Sequence, residues 1–246
     1  MFGFQGKNVL IVNCLPGIAR ALGRAFAEEK AKVFMLYPGQ DECCGKEILA
    51  AQEGKGLEIS LLERPLSSLA LFQEAISEIK GDCKNIDILI NYVPTPKVNI
   101  KTAGEKKPVA ELPFETDFSL FHNCLKIVAP LMLKQGRGRI VNVAGIAIRE
   151  YVHYMAVRNE VAAVTKTLGR ELARKNIYLN AVILGLLEGE DYSQAMPRYL
   201  EILSLSLPAQ RPAKPEEVTG PILFLASDKA SYLFGESLKV DGGLSA

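Results

Sequence analysis

Nowhere in the 246 residues is there an apolar run long enough to span a bilayer, and the formal net charge is only +1. The first absence argues against a transmembrane helix, which needs about 20 consecutive apolar residues. The second removes the field that draws a protein to nucleic acid or to an anionic membrane. The opening Met1-Phe2-Gly3-Phe4-Gln5-Gly6-Lys7 has no charged head, apolar stretch or cleavage site, so no secretory signal is expected. Cys14, Cys43, Cys44, Cys83 and Cys124 show no C-x-x-C spacing, and the histidines do not complete a zinc site, so no metal is expected. The adjacent Cys43–Cys44 pair is expected to be incidental in a reduced, cytoplasmic protein. What remains is a globular composition, 48% hydrophobic and 23% charged, in a length that fits one large α/β domain over residues 1–246.

Along the chain, short apolar runs alternate with segments of helical spacing. Strands are predicted over 9–12, 33–37, 57–62, 86–91, 139–144, 178–183 and 237–240. Helices are predicted over 17–29, 43–52, 66–79, 114–134, 154–174 and 215–227, with an irregular, proline-bearing segment at 186–212. Continuous apolar strands separated by helices imply a parallel sheet covered on both faces and joined by right-handed crossovers. The expected fold is therefore a Rossmann-like, doubly wound α/β sheet of about seven strands.

Five blocks then acquire a common meaning. "GKNVLIVNCLPGIARALGRAFAEEKAKVFML", "IDILIN", "GRIVNVAG", "YMAVRNEVAAVTKTLGRELARKNIYLNAVILG" and "RPAKPEEVTGPILFLASDKASYLFGESLKVDGG" occur in that order. Together they resemble the short-chain dehydrogenase/reductase family over nearly the whole chain. The resemblance implies that family's fold and, at its site, NAD(P)-dependent hydride transfer.

At the dinucleotide site, the family's Gly-rich turn lets a pyrophosphate approach backbone N–H groups at a helix N-terminus. Aligned on Gly17, this chain offers Val12-Asn13-Cys14-Leu15-Pro16-Gly17-Ile18-Ala19. Asn13 tolerates positive φ, and alanine is an accepted replacement for the third glycine, here Ala19. Leu15 and Pro16 are harsher changes, because Pro16 has no N–H to donate. Tyr37 stands where an acid would meet the ribose, and the Asn-Asn-Ala-Gly turn reads Asn91-Tyr92-Val93-Pro94. The expectation is that Asn13, Gly17, Ala19, Tyr37 and Asn91 are vestiges and that this chain binds no cofactor of its own.

At the catalytic site, the resemblance implies a tyrosine acid/base, a lysine four residues on, a substrate-binding serine and an asparagine. A phenol titrates near 10, so about three units, or roughly 4 kcal/mol, must come from a fixed cation nearby. Tyr154 holds the tyrosine position, but Arg158 holds the lysine's. Its planar fork does not reproduce the compact ammonium. The serine position falls on Ala144 or Gly145, and the asparagine position on Asp117. After the sixth strand Gly185 remains while the proline before it has become Leu184. Tyr154, Arg158, Gly145 and Asp117 are accordingly expected to be vestigial. His153 titrates near neutrality and is a minor candidate proton donor. His122 is expected in an interface or core.

The segments that the family uses for assembly keep their apolar pattern, with small residues Ala156, Ala162 and Ala163 on the helix after Tyr154. That contrast points to a non-catalytic subunit paired in a hetero-oligomer with a catalytic, NAD-binding paralogue acting on a hydroxyacyl-CoA. Such a pairing of intact and degenerate chains resembles the dehydrogenase of 2-(hydroxybenzyl)succinyl-CoA in anaerobic toluene breakdown. Lys97, Lys101, Lys106 and Lys107 are candidates for CoA phosphates, against the plainer expectation of a solvated loop. Two alternatives remain open: an active, divergent hydroxyacyl or ketone reductase using Tyr154, and a ligand-binding regulatory protein on the same scaffold.

Overall fold

β-branched and other large aliphatic residues with no alternation of polarity make strands that must be buried on both faces. In the computed structural model the strands are β1 (Asn8–Val12), β2 (Lys32–Tyr37), β3 (Ile59–Glu63), β4 (Ile88–Val93), β5 (Gly138–Ala144), β6 (Ile177–Leu184) and β7 (Ser237–Val240), the two outermost, β3 and β7, being largely unburied. The structure describes residues 1–12, 16–37, 57–64, 66, 68–93, 118–145, 151–188 and 207–245, apart from the side chains at 16 and 151–156. The strands form one seven-stranded sheet in the order β3-β2-β1-β4-β5-β6-β7, and every neighbouring pair is parallel. The predicted fold class is what the structure shows.

The helices α1 (Pro16–Glu28), α2 (Leu69–Asp82), α3 (Ser119–Gln135), α4 (Tyr151–Ala173) and α5 (Pro215–Ala226) cover both faces. Phe72, Ile76 and Ile79 of α2, Phe121, Cys124 and Val128 of α3, and Val157 and Val161 of α4 pack on one side. Ile18, Leu22 and Phe26 of α1 with Val218, Ile222 and Leu225 of α5 pack on the other. Two separate apolar layers therefore flank the sheet, as crossover connections require.

Local chemistry moved some predicted boundaries. The helix expected from 66 begins at Leu69, because the Ser68 hydroxyl caps it by accepting from the Leu71 N–H at 3.3 Å. The strand expected at 57–62 is shifted to Ile59–Glu63. α3 stops at Gly136, whose φ of 69° is left-handed and closes the last turn. At the start of α5, Glu217 accepts from the Lys214 N–H at 2.8 Å and takes both prongs of Arg211 at 2.7 Å. The Arg211 fork, helped by that backbone N–H, holds the Glu217 carboxyl down at about 2. The helix predicted over 43–52, the first residues of the one predicted over 114–134, and most of the segment 186–212 lie outside the described residues.

Candidate active site

The strand order reverses direction between β1 and β4, and a crevice at the carboxyl ends of two such strands is where open α/β sheets take ligands. α1 opens there, with three residues between it and the end of β1. Pro16 is its first residue, a position where the missing N–H is one the helix would leave unpaired anyway. The change that looked harsh in the sequence is thus compatible with the helix, although it removes one donor an anion could use. Gly17 is half-buried, while Ile18 and Ala19 are buried in the α1 layer. Ala19 therefore serves packing. The first-turn N–H groups after Pro16 fit the pyrophosphate of a dinucleotide in kind, being donors that the helix itself does not pair, at its positive end. Asn13 and its two successors lie outside the described residues.

Tyr37 ends β2 half-buried and pairs in register with Glu63 at the end of β3. A ribose acid was expected only at the end of β2, whereas this carboxylate lies one strand away. Its signal was an acidic residue closing the apolar run that precedes Arg64.

Asn91 does not face an open crevice. It is fully buried, and its amide donates to the Phe121 carbonyl and to Asn142 Oδ1, each at 3.3 Å. Asn142 in turn donates to Thr165 Oγ1 at 2.9 Å. A buried polar chain therefore ties β4 to β5 and both to α4, while Asn91 Oδ1 itself has no hydrogen-bond partner. This tie anchors α4 to β4 and β5 through Thr165, about three turns beyond Tyr154. Arg158 is half-buried, one turn beyond Tyr154.

The two candidates for the serine position have different environments. Ala144 is fully buried in the layer beneath α2, α3 and α4. Gly145 is also buried, and a Cβ placed on it would sit 2.3 Å from Tyr92 Oη and 3.1 Å from Tyr92 Cζ. Tyr92, itself 1% exposed, thus fills the space that a residue-145 side chain would need. In the sequence, the tyrosine at 92 and the lost hydroxyl at 145 stand as separate changes. A bulky residue near the end of β4 and a missing side chain just past the end of the neighbouring β5 were the signal that the two positions share one space.

Gly185 is retained for a structural reason. A Cβ there would lie 2.7 Å from the Asp241 Cα, and its N–H donates to the Val240 carbonyl at 3.1 Å. His122 is not in the core. It lies half-exposed on α3, with Nε2 3.1 Å from Glu160 Oε1 on α4. Of the small residues on α4, Ala162 is half-buried and Ala163 exposed. Burial pushes the thiols of Cys83 and Cys124 up, which makes both poor nucleophiles. Among the described residues no cluster could hold a metal ion, and no helix is long and apolar enough to cross a membrane. Asp117, the four cleft lysines, Cys14, Cys43 and Cys44 lie outside the described residues, as do the side chains of His153, Tyr154 and Ala156.

The sequence pattern of a family described as enoyl-(acyl carrier protein) reductase matches residues 14–245. A 3-oxoacyl-[acyl-carrier-protein] reductase, FabG, of Staphylococcus epidermidis is 28% identical over 245 residues, covering 98% of this chain and 99% of its own. A Burkholderia xenovorans structure assigned to the short-chain dehydrogenases/reductases superposes with a TM-score of 0.81 at 26% identity, covering 100% of this chain and 98% of its own. A gluconate 5-dehydrogenase structure from Beutenbergia cavernae, with NADP bound, has a TM-score of 0.80 at 24% identity, with 99% and 98% coverage, and attests the fold alone. With the sheet order, the helix start at the switch point and a pattern match over almost its full length, the chain belongs to the short-chain dehydrogenase/reductase family.

Proposed function

We propose that this chain is a divergent NAD(P)-dependent reductase of ketoacyl or related keto substrates, working through Tyr154 beside Arg158. The observation that carries this reading is the buried chain from Asn91 through Asn142 to Thr165. It anchors the helix bearing Tyr154 and Arg158 to β4 and β5 through Thr165. The full-length similarity to ketoacyl reductases supports it.

A bound nicotinamide would supply the hydride, held by the N–H groups of Gly17 and Ile18 and the strand-end residues Tyr37 and Glu63. The remaining work falls to the chain itself. Tyr154 delivers a proton to the oxygen that becomes the alcohol. Arg158, one helical turn away, favours the phenolate left behind, because a cation at that spacing stabilises the charged form. Arginine supplies this charge permanently but without the compact ammonium of lysine, so proton transfer is expected to be slower than with lysine there.

The test is turnover of acetoacetyl-CoA and of a 3-oxoacyl carrier protein by the purified full chain, with NADH and NADPH in parallel. Turnover that drops about 10²- to 10⁴-fold in Tyr154→Phe is the expected result. Absence of turnover with every pairing overturns the reading.

A second reading is favoured by one observation, the Tyr92 ring filling the space in front of Gly145. Here the chain is a non-catalytic subunit of a hetero-oligomer, and a catalytic paralogue binds NAD and acts on a hydroxyacyl-CoA. 2-(Hydroxybenzyl)succinyl-CoA is its candidate substrate. Co-expression with a reductase-like paralogue and native mass spectrometry distinguish the two. A mixed assembly that gains activity only from the paralogue supports this second reading, whereas a fully active homo-oligomer of this chain removes it.

A further inference from the structure

The Tyr92–Gly145 contact contains more than a steric substitution. β4 and β5 are neighbours in register, with Tyr92 opposite Val143 and Val93 opposite Ala144. The tyrosine ring rises from β4 on the α1–α5 side of the sheet, packed in the same layer as Ile90, Val143 and Val182. Its hydroxyl ends at the first residue beyond β5, where an ideal Cβ on Gly145 would be only 2.3 Å away. A side chain on residue 145 would therefore start in volume the phenol already fills. A hydroxyl is therefore still present at the carboxyl end of β5, delivered from the neighbouring strand.

We propose that Tyr92 supplies, from β4, the hydroxyl that faces the substrate oxygen at the end of β5, and that Tyr92 and Gly145 are one exchanged unit. This inference rests on the reductase reading above. The physical case is preorganisation. A phenol fixed by a buried ring presents its O–H with little freedom to reorient, and a donor in a dry, low-dielectric place stabilises developing negative charge more than one in water. The ring's own position is set by the apolar layer around it, so the hydroxyl needs no help from a residue-145 side chain. The same geometry explains why 145 is glycine: the exchange works only if the acceptor position is emptied.

Two measurements test it. In the packing arm, Gly145→Ala is compared in the native and Tyr92→Phe backgrounds by thermal unfolding. The expected result is a clearly larger fall in Tm with the native tyrosine, because removing Oη leaves Cζ, at 3.1 Å, as the nearest ring atom. Equal falls in both backgrounds overturn the exchanged unit. In the activity arm, Tyr92→Phe, which keeps the ring and its packing, is expected to lower kcat roughly a hundredfold with little change in KM. It should leave unmoved the pH at which Tyr154 titrates in the kcat profile. The double variant Tyr92→Asn with Gly145→Ser is expected to recover activity relative to Tyr92→Phe, by returning a hydroxyl to residue 145. Native turnover that survives Tyr92→Phe intact overturns the proposal while leaving the reductase reading in place. A native chain without turnover on any keto substrate removes both, whatever the packing arm shows.

Discussion

Gly145 and Gly185 both occupy strand ends on the carboxyl edge, both are buried, and both would collide if given a Cβ. The collisions differ in kind. At Gly145 the obstacle is the tip of a side chain, Tyr92 Oη. At Gly185 it is the main chain of Asp241, and at Gly169 on α4 it is the main chain of Gly235 at 2.6 Å. A side-chain obstacle can be removed by a second substitution, so the end of β5 is free to change in pairs. A main-chain obstacle cannot, so the end of β6 and the helix that packs beside it are pinned. A side chain at 145 could thus be accommodated by a change at 92, whereas one at 185 or 169 meets backbone that no substitution moves aside.

The pinned region has further ties that explain its resistance to change. Asn180 on β6 donates to the Leu233 carbonyl at 3.0 Å and accepts from the Glu236 N–H at 3.0 Å. Those bonds hold the turn that brings Gly235 against α4. Asp241 then accepts from the Gly243 N–H at 3.1 Å and from the Ser245 hydroxyl. All but the last of these contacts involve backbone, which no conservative exchange of side chains replaces.

Breaking the comparison at its rigid end should give the largest effect. Gly185→Ala and Gly169→Ala should each destabilise the fold by about 3 kcal/mol or more, since overpacking against main chain finds no rotamer to yield. Chemical denaturation measures this, and a loss below roughly 1 kcal/mol would show that the backbone crossings relax. The polar tie beneath the compensated end comes next. Asn142→Ala removes the partner of both Asn91 and Thr165 and should cost about 1–3 kcal/mol. The same variant should reduce any turnover by more than the stability loss alone, because α4 is no longer held to β5. A matching loss in Thr165→Val, smaller because one bond is broken, would sharpen the assignment.

The smallest effect concerns the surface start of α5. The Glu217 carboxyl, at about 2 in the folded chain, lies below its unfolded value of roughly 4.3. A carboxylate depressed on folding adds stability that is fully present above the unfolded value and is lost as pH falls through the folded one. Tm should therefore fall as pH drops from about 4.3 toward 2, and Glu217→Gln should flatten that part of the profile. Because the pair is exposed, added salt should shrink the difference. A profile unchanged by Glu217→Gln would assign the acid sensitivity to other carboxylates.

Much of the fold was legible because its signals are local. Unbroken apolar runs such as Val9–Val12, Ile88–Ile90 and Ile140–Val141 can be buried only on both sides, and helical spacing between them supplies the covering layers. Boundaries were less legible because single side chains set them, as the Ser68 hydroxyl does for α2. The candidate site was legible as a set of positions. The family resemblance placed Tyr154 and Arg158 and left the serine position at Ala144 or Gly145. Their relations were not legible. Asn91 read as a vestige of a cofactor turn, yet its amide is a strand-to-helix tie made with residues 51 and 30 positions away. Pro16 read as damage to an anion site, yet it occupies the one helical position where its missing N–H is harmless to the helix.

By itself the sequence determined the alternation of strands and helices, the parallel sheet and the family, because periodicity and residue order are carried within short windows. Tertiary structure alone decided that Tyr92 and Gly145 share one volume, that Gly185 is held by Asp241, and that His122 pairs with Glu160 at the surface. Those contacts depend on which strands become neighbours and on which side of the sheet each side chain emerges, and no local stretch of chain contains that information.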